Sequence, residues 1–150
     1  MKTELTLHHR QRRALVYVRQ SSPGQVLTHL EGKRRQYDLV EFAHSMGCSD
    51  VEVIDDDLGR SGDGYTERPG FERLVALVCN GSVGAVFCLE ASRLARNGRD
   101  WHNLLHLCGL VDVVIVDPDG VYDPNASNDR LLLGLKGTMS EFELTLLRQR

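Results

Sequence analysis

An arginine and a serine stand two residues apart where the first apolar run of the chain ends. Residues 14–18 read Ala-Leu-Val-Tyr-Val, and Arg19 and Ser21 follow them. The run predicts a β-strand, and because side chains alternate along a strand, positions 17, 19 and 21 share one face. A guanidinium and a hydroxyl on one face, at the carboxyl end of a buried strand, are suited to binding a phosphate group.

Three more arginines stand at comparable places in the chain. Arg68 ends a glycine-rich loop after the second predicted strand, and Arg93 and Arg96 follow the third. Their i, i+3 spacing puts Arg93 and Arg96 on one face of a helical turn. Four guanidiniums near Ser21 would suit phosphoryl transfer, because arginine stabilises the charge that develops on phosphoryl oxygens and serine can form a covalent phosphoserine intermediate.

Strand and helix patterns alternate along the chain. This alternation predicts an α/β domain with a mostly parallel sheet of four to five strands, flanked by helices. In the first predicted helix, Tyr37, Val40 and Ala43 are expected to face the core. The predicted strands cover residues 14–18, 51–54, 83–89 and 111–116, the predicted helices cover 30–46, 69–79 and 100–110, and a long helix starts at Asn128 or Asp129.

The sequence predicts three regions. Residues 1–13 include two adjacent histidines and several arginines and are expected to form a flexible basic tail. Residues 14–127 form the α/β domain, and residues 128–150 begin a long helix whose apolar stripe needs another chain to cover part of it. Because no capping glycine or proline ends that helix, we expect the protein to continue beyond residue 150.

Charge and composition exclude several classes of protein. The 150 residues carry a formal net charge of −3, whereas a domain that grips DNA by itself is usually basic. Any DNA contact is therefore expected to use local clusters, with bulk affinity supplied elsewhere. No apolar run is long enough to span a membrane, and no leader-like segment opens the chain. Four scattered cysteines without a Cys-x-x-Cys pair indicate reduced thiols in a cytoplasmic protein.

Taken in order, the motifs resemble those of the catalytic domain of the serine recombinases (resolvase/invertase family). Residues 17–21 match Tyr-x-Arg-x-Ser, residues 92–96 read Ser-Arg-Leu-Ala-Arg, and residues 140–143 read Ser-Glu-Phe-Glu within the long helix. Residues 57–62, Asp-Leu-Gly-Arg-Ser-Gly, look most like the large serine recombinase branch, which includes phage integrases and transposon recombinases. The resemblance extends from about residue 14 to residue 150.

The resemblance implies a site-specific DNA recombinase. Ser21 would attack a DNA phosphodiester, form a 5′-phosphoserine link and release a 3′-hydroxyl, and strand exchange and religation would follow. Arg19, Arg68, Arg93 and Arg96 would be catalytic, with Gln25, Arg93 and Arg96 binding DNA phosphate. The resemblance also implies no cofactor and no metal, a homodimer that assembles into a tetramer in synapsis, and a place on bacterial or phage DNA in the cytoplasm and nucleoid.

Five further residues are expected to support this site: Tyr17, Asp56, Asp57, Ser92 and Glu143. The family's resolvases carry an aspartate where this chain has Ser92, so an acid/base role for that carboxylate does not carry over, and Asp56 or Asp57 is the alternative. Glu143 matches an often acidic position of the family's dimerisation helix, where Leu144 replaces the arginine that commonly follows.

Two other interpretations fit parts of the pattern. A receiver-like regulatory module would bind a cation through residues 55–57, all aspartates, although a cation site has no use for four arginines. A catalytically inactive assembly domain would oligomerise through the long helix and only hold phosphate. His102, His106 and Cys108 also have a helical spacing that zinc could use, but no fourth ligand is evident and an amphipathic helix accounts for them.

Overall fold

The structure is a computed structural model that describes residues 5–18, 29–56, 69–91, 94–95 and 98–148, without the side chains of residues 29–32 and 139–148. The helices in these ranges are α1 (Leu7–Gln11), α2 (His29–Ser45), α3 (Pro69–Asn80), α4 (Gly98–Val111) and α5 (Ser127–Arg148). The strands are β1 (Arg13–Tyr17), β2 (Val51–Ile54), β3 (Val83–Phe87), β4 (Val114–Asp117) and β5 (Gly120–Tyr122).

These strands form a sheet in the order β2-β1-β3-β4-β5. β1 lies parallel between β2 and β3, β3 also pairs in parallel with β4, and β5 turns back antiparallel to β4. The prediction of a mostly parallel sheet flanked by helices is confirmed. Among the helices of the described ranges, none combines the length and the apolar character needed to cross a bilayer.

Element bounds agree with the prediction at β2, differ by one or two residues at β1 and β3, and differ more where two elements share one apolar run. β2 covers the predicted residues 51–54. The run 111–116 predicts a strand, but Val111 ends α4, Asp112 takes a left-handed φ of 57°, and β4 begins at Val114. Apolar content alone cannot separate the end of a buried helix from the start of a buried strand.

Side chains of β1 alternate between two apolar layers. Leu15 and Tyr17 belong to the layer that α3 and α4 cover, and Val16 belongs to the layer that α2 covers. In α2, Val40 and Ala43 pack in this layer as predicted. The prediction is wrong for Tyr37, which is 65% exposed, while Leu39 is buried. With both faces covered, the central strands form a close-packed base for the segments that follow them.

Residues 5–13 are part of the fold, so the prediction of a flexible tail is wrong for them. Leu5 and His9 are buried, and Thr6 caps α1 by accepting a hydrogen bond from the His9 backbone. The helix lies against β3, where Gly84 permits the approach: a Cβ at that position would lie 2.1 Å from the His9 carbonyl oxygen. The basic composition of this segment hid its packing role.

Arg12 holds this segment against the ends of two helices. Arg12 donates hydrogen bonds to the carbonyl oxygens of Gly81 and Val111, at 3.3 and 3.2 Å, and to that of Asp112. These carbonyls lie just at the ends of α3 and α4, where unpaired acceptors and the negative end of the helix dipole favour a cation. Arg12 therefore joins two helix ends to the start of β1.

Candidate active site at the carboxyl edge of the sheet

Three parallel strands end side by side at one edge of the sheet. Tyr17 of β1 pairs with Ile54 of β2, and Val16 pairs with Phe87 of β3. The segments that carry the predicted site residues leave the sheet from these strand ends or enter α3. The residues Arg19, Ser21, Gln25, Asp57, Arg68, Ser92, Arg93 and Arg96 lie outside the described residues, so their convergence stays a prediction.

Tyr17 is the predicted site residue that the structure describes best. It is buried, and its ring meets Phe71 at the start of α3 edge-on, with ring centroids 6.4 Å apart. Such edge-to-face pairs contribute about 0.5–1.5 kcal/mol beyond the area that they bury. Tyr17 therefore joins the end of β1 to α3, and this contact supports the edge from which residues 19 and 21 continue.

The aspartates after β2 lie at the surface. Asp55 accepts a hydrogen bond from the Gln36 side chain of α2, and Asp56 lies 3.9 Å from Arg73 of α3. Asp57 is outside the described residues. Among the residues that the structure does describe, no group of three or more histidine, cysteine, aspartate and glutamate side chains is arranged to hold a metal ion.

The described residues after β3 form an anchored turn. The Leu94 backbone N–H donates to the Ala91 carbonyl oxygen at 3.2 Å, and Ala91, Leu94 and Ala95 are all buried in the layer of α3 and α4. Positions 93 and 96 flank this apolar pair in the sequence. The apolar positions of the Ser-Arg-Leu-Ala-Arg motif thus belong to the core.

Asp117, the last residue of β4, fixes this turn from the neighbouring strand. Its side chain is 1% exposed, and each carboxylate oxygen accepts one backbone N–H. Oδ2 accepts from Ala91 at 3.0 Å, and Oδ1 accepts from Asp119 at 2.9 Å. A buried carboxylate needs such donors, because desolvation of an unpaired charge costs several kcal/mol, on the order of a fold's whole stability.

Lys136 of α5 is the cation beside that carboxylate. Its Nζ donates to the Tyr122 hydroxyl at 2.9 Å and lies 3.4 Å from Asp119 and 4.0 Å from Asp117. Burial lowers the pKa of Lys136, but the hydrogen bond to Tyr122 and the charge of Asp117 outweigh burial and raise it overall. The ammonium therefore stays charged, and it ties α5 to the β4–β5 turn.

Sequence reasoning missed these three residues: Asp117, Tyr122 and Lys136. The predicted fourth strand ended at residue 116, before Asp117, and no strand was predicted over Gly120–Tyr122. One signal was present, since Asp117 ends an uninterrupted apolar run, where a buried charge must have a partner. Its partners, Ala91 and Lys136, cannot be identified from spacing because both lie far from it in the chain.

The structure leaves the role of Glu143 open but separates the possible zinc ligands on α4. Glu143 lies on α5, and its side chain is outside the described atoms, so its role stays a prediction. Cys108 is fully buried in the layer of α3 and α4, where desolvation by burial raises the pKa of its thiol to about 12. His102 and His106 are exposed on the opposite side of α4, so Cys108 cannot join them at one metal ion.

The family described as "Resolvase, N terminal domain" matches residues 14–150. The chain belongs to the resolvase family. The matched range contains the predicted site arginines and serines, the sheet apart from the first residue of β1, the anchored turn and α5. It also makes the receiver-like interpretation unnecessary, since the match covers all of the sheet except that one residue.

The chain is also similar to one region of a longer bacterial protein. The "Uncharacterized protein y4bA/y4pH" of Sinorhizobium fredii (strain NBRC 101917 / NGR234) is 53% identical over 144 residues, which cover 95% of this chain and 21% of that protein. The chain therefore spans about a fifth of the length of this relative.

Solved structures with the same fold include recombinases of several types. The N-terminal catalytic domain of TP901-1 integrase superposes with a TM-score of 0.60 at 24% identity, covering 90% of this chain and 98% of that one. A resolvase family site-specific recombinase from Streptococcus pneumoniae gives 0.63 at 24% identity, covering 91% of each chain. The catalytic domain of ISC1926 TnpA, an IS607-like serine recombinase, gives 0.57 at 26% identity, covering 86% and 99%.

Proposed function

We propose that this chain catalyses site-specific DNA recombination with Ser21 as the nucleophile. The Ser21 hydroxyl oxygen attacks a DNA phosphorus, a bond from that oxygen to phosphorus forms, and the bond to the 3′ oxygen breaks to release a 3′-hydroxyl. The link left on the protein is a 5′-phosphoserine. Attack by a 3′-hydroxyl of another strand reverses the step, rejoins DNA and restores the serine, so no external energy source or cofactor is needed.

One observation carries the proposal. The motifs that contain Arg19, Ser21, Arg93 and Arg96 leave the carboxyl ends of two neighbouring parallel strands, and Arg68 directly precedes α3, all within the range that matches the resolvase family. Parallel sheets bind ligands at this edge. In the proposed site the four arginines bind the scissile phosphate and stabilise the charge of the transition state.

The proposal extends to partners. We expect the protein to act on DNA in the bacterial cytoplasm and nucleoid as a homodimer that assembles into a tetramer. Leu131 and Leu135, one turn apart on α5, are 65% and 54% exposed, and such an apolar face favours contact with another chain. With a net charge of −3, the chain is expected to bind DNA weakly by itself, so bulk affinity is assigned to other parts of the full-length protein.

The test is a covalent-adduct assay with the full-length protein and DNA that carries its recombination site. The reaction is stopped with detergent at intervals, and protein attached to a 5′ DNA end is measured for wild type, Ser21→Ala and Ser22→Ala. We expect the adduct in wild type and Ser22→Ala only. Adduct in Ser21→Ala would move the chemistry to another residue, and no adduct in any of the three would favour an assembly domain without catalysis.

A further inference from the structure

The buried carboxylate of Asp117 joins the turn after β4 to the segment after β3, beyond the backbone bond from the Cys88 N–H to the Val116 carbonyl oxygen that ends the pairing of these strands. Through Oδ1 it holds the turn between β4 and β5, at the Asp119 N–H. Through Oδ2 it holds the Ala91 N–H, where the segment after β3 begins. If Asp117 only stabilised the β4–β5 hairpin, the bond to Asp119 would be sufficient. The bond to Ala91 instead reaches a residue 26 positions away in the chain.

The second bond is made at a particular point of the chain. Ala91 directly precedes positions 92 and 93, and its carbonyl oxygen accepts the hydrogen bond from Leu94 that closes the turn. Ala91 has no exposed surface, so neither it nor its partner can exchange this bond for one with water. The backbone at Ala91, directly before position 92, is therefore fixed by a residue of β4.

Lys136 gives this carboxylate its counter-charge from α5. The Lys136 Nζ lies 4.0 Å from Asp117 Oδ2. Its hydrogen bond to the Tyr122 hydroxyl holds it there. Trp101 of α4 also holds α5 in place, because its indole N–H donates a hydrogen bond to the Leu133 carbonyl oxygen at 2.9 Å. A shift of α5 would therefore withdraw the cation from Asp117 and leave a buried negative charge beside the turn.

We propose that Asp117 is a positioning residue for the segment that carries Arg93 and Arg96. We also propose that Lys136 makes this positioning depend on where α5 lies relative to Asp117. The inference rests on the proposed function, in which these arginines bind the scissile phosphate. A misplacement of about 1 Å far from the reacting atoms can lower a rate on the order of 100-fold. Asp117 touches no substrate atom in this scheme and acts only through the backbone at Ala91.

The experiment compares cleavage with binding in the full-length protein. Asp117→Asn keeps the shape of the side chain, but its amide nitrogen cannot accept, so one of the two backbone bonds is lost. Lys136→Met removes only the cation, and Lys136→Arg restores one. Asp38→Asn and Lys33→Met are matched controls, because both side chains are exposed on α2. Non-covalent DNA affinity and the rate of adduct formation per bound DNA are measured for each.

We expect Asp117→Asn to lower the rate of adduct formation about 100-fold and Lys136→Met about tenfold, with DNA affinity within about twofold of wild type. Lys136→Arg should recover most of the rate. The double variant Asp117→Asn/Lys136→Met should be no slower than Asp117→Asn alone, since the lysine acts through the aspartate. Wild-type rates in the folded single variants, or parallel losses of affinity and rate without recovery in Lys136→Arg, would overturn the inference.

Hydrogen exchange of the Ala91 amide tests the anchor without any DNA. The amide should be protected in wild type and in both control variants, and it should exchange faster in Asp117→Asn even where the variant keeps the same midpoint of unfolding. Unchanged protection in Asp117→Asn would overturn the inference. If wild type forms no adduct while Ala91 protection still depends on Asp117, the proposed function fails and the anchor itself is supported.

Discussion

The two edges of the sheet use polar side chains in opposite ways. At the amino edge, Arg12 and His9 meet backbone carbonyls and Asp112 where α3 and α4 end, so charge there completes the fold. At the carboxyl edge, Asp117 and Lys136 hold the turn from which the predicted catalytic arginines continue. The comparison teaches that similar polar contacts stabilise the fold at one edge and, under the proposed function, position catalytic residues at the other.

His9 shows how local chemistry serves the amino edge. An ionised carboxylate only accepts hydrogen bonds, so the His9 Nε2–H donates to Asp112 Oδ1 at 3.1 Å. The other ring nitrogen, Nδ1, then accepts from the Thr6 hydroxyl at 2.6 Å. The chain Thr6–His9–Asp112 has the order of a hydrolytic triad, yet its hydroxyl already caps α1. Its polar atoms are therefore used to hold the helix in place.

The largest expected difference between the edges comes from Arg93→Gln. Loss of one donor to the transition state should slow adduct formation about 100- to 1,000-fold. The free energy of unfolding should change by no more than about 0.5 kcal/mol, since an arginine side chain at a site contributes little to the core. Arg34→Gln, on the exposed side of α2, is the matched control. Equal rates for the two variants would contradict the proposed site.

Gly84→Ala should give the reverse result at the amino edge. The added Cβ would lie 2.1 Å from the His9 carbonyl oxygen, so α1 must move, and overpacking of this kind costs about 1–3 kcal/mol. Urea denaturation measures the loss. Gly134→Ala on α5 is the control, because nothing lies within 4 Å of its Cβ and a helical alanine is favoured over glycine by about 0.5–1 kcal/mol. A Gly84→Ala protein as stable as this control would show that α1 is not held against β3.

Arg12→Met is expected to have a smaller effect on stability. The variant leaves the Gly81 and Val111 carbonyls without the guanidinium, at a cost of about 1–3 kcal/mol for acceptors that are buried. Partial access of water to this surface should keep the value near the lower end. Arg12→Lys keeps the charge at the helix ends and should recover part of the loss in the same denaturation experiment. A Lys variant less stable than the Met variant would argue against the helix-end interpretation.

The mildest test uses two buried thiols as reporters of the two edges. Cys48 lies after α2 near Arg10, and Cys88 follows β3 beside Asp117. Burial raises the pKa of both thiols, the larger effect being at Cys88. Because the thiolate is the reactive form, a raised pKa leaves less of it at pH 8, and both cysteines should be alkylated more slowly than the exposed Cys79.

The variants should then separate the two reporters. Gly84→Ala is expected to speed alkylation of Cys48 and leave Cys88 unchanged. Lys136→Met removes a cation that lowers the pKa of Cys88 and is therefore expected to slow alkylation of Cys88 alone. Mass spectrometry of quenched samples measures each site. If either variant changes the alkylation rates of Cys48 and Cys88 equally, the two edges of the sheet do not respond independently.

Local patterns were sufficient for much of the fold. β2 and the start of α3 fall where short-range signals predict them, because an isolated apolar run bounded by turn residues and a proline at the first helical position act within a few residues. The motifs around Ser21 and Arg93 likewise indicated the family, since their residue types and order are written in the chain itself. The family match bears this out.

What the sequence alone could not determine depends on contacts between distant residues. The His9–Asp112 bond spans 103 positions and the Ala91–Asp117 bond spans 26, so no periodicity reports either one. The same reason explains the errors in the prediction: residues 5–13 look like a basic tail until the ends of α3 and α4 are beside them, and Tyr37 looks like a core residue until α2 has been docked. The sequence determined the family and the order of the elements from β1 to β4, but not the presence of α1 or β5. The tertiary structure alone decided which charges are buried, because desolvation depends on what surrounds a side chain and not on its neighbours in the chain.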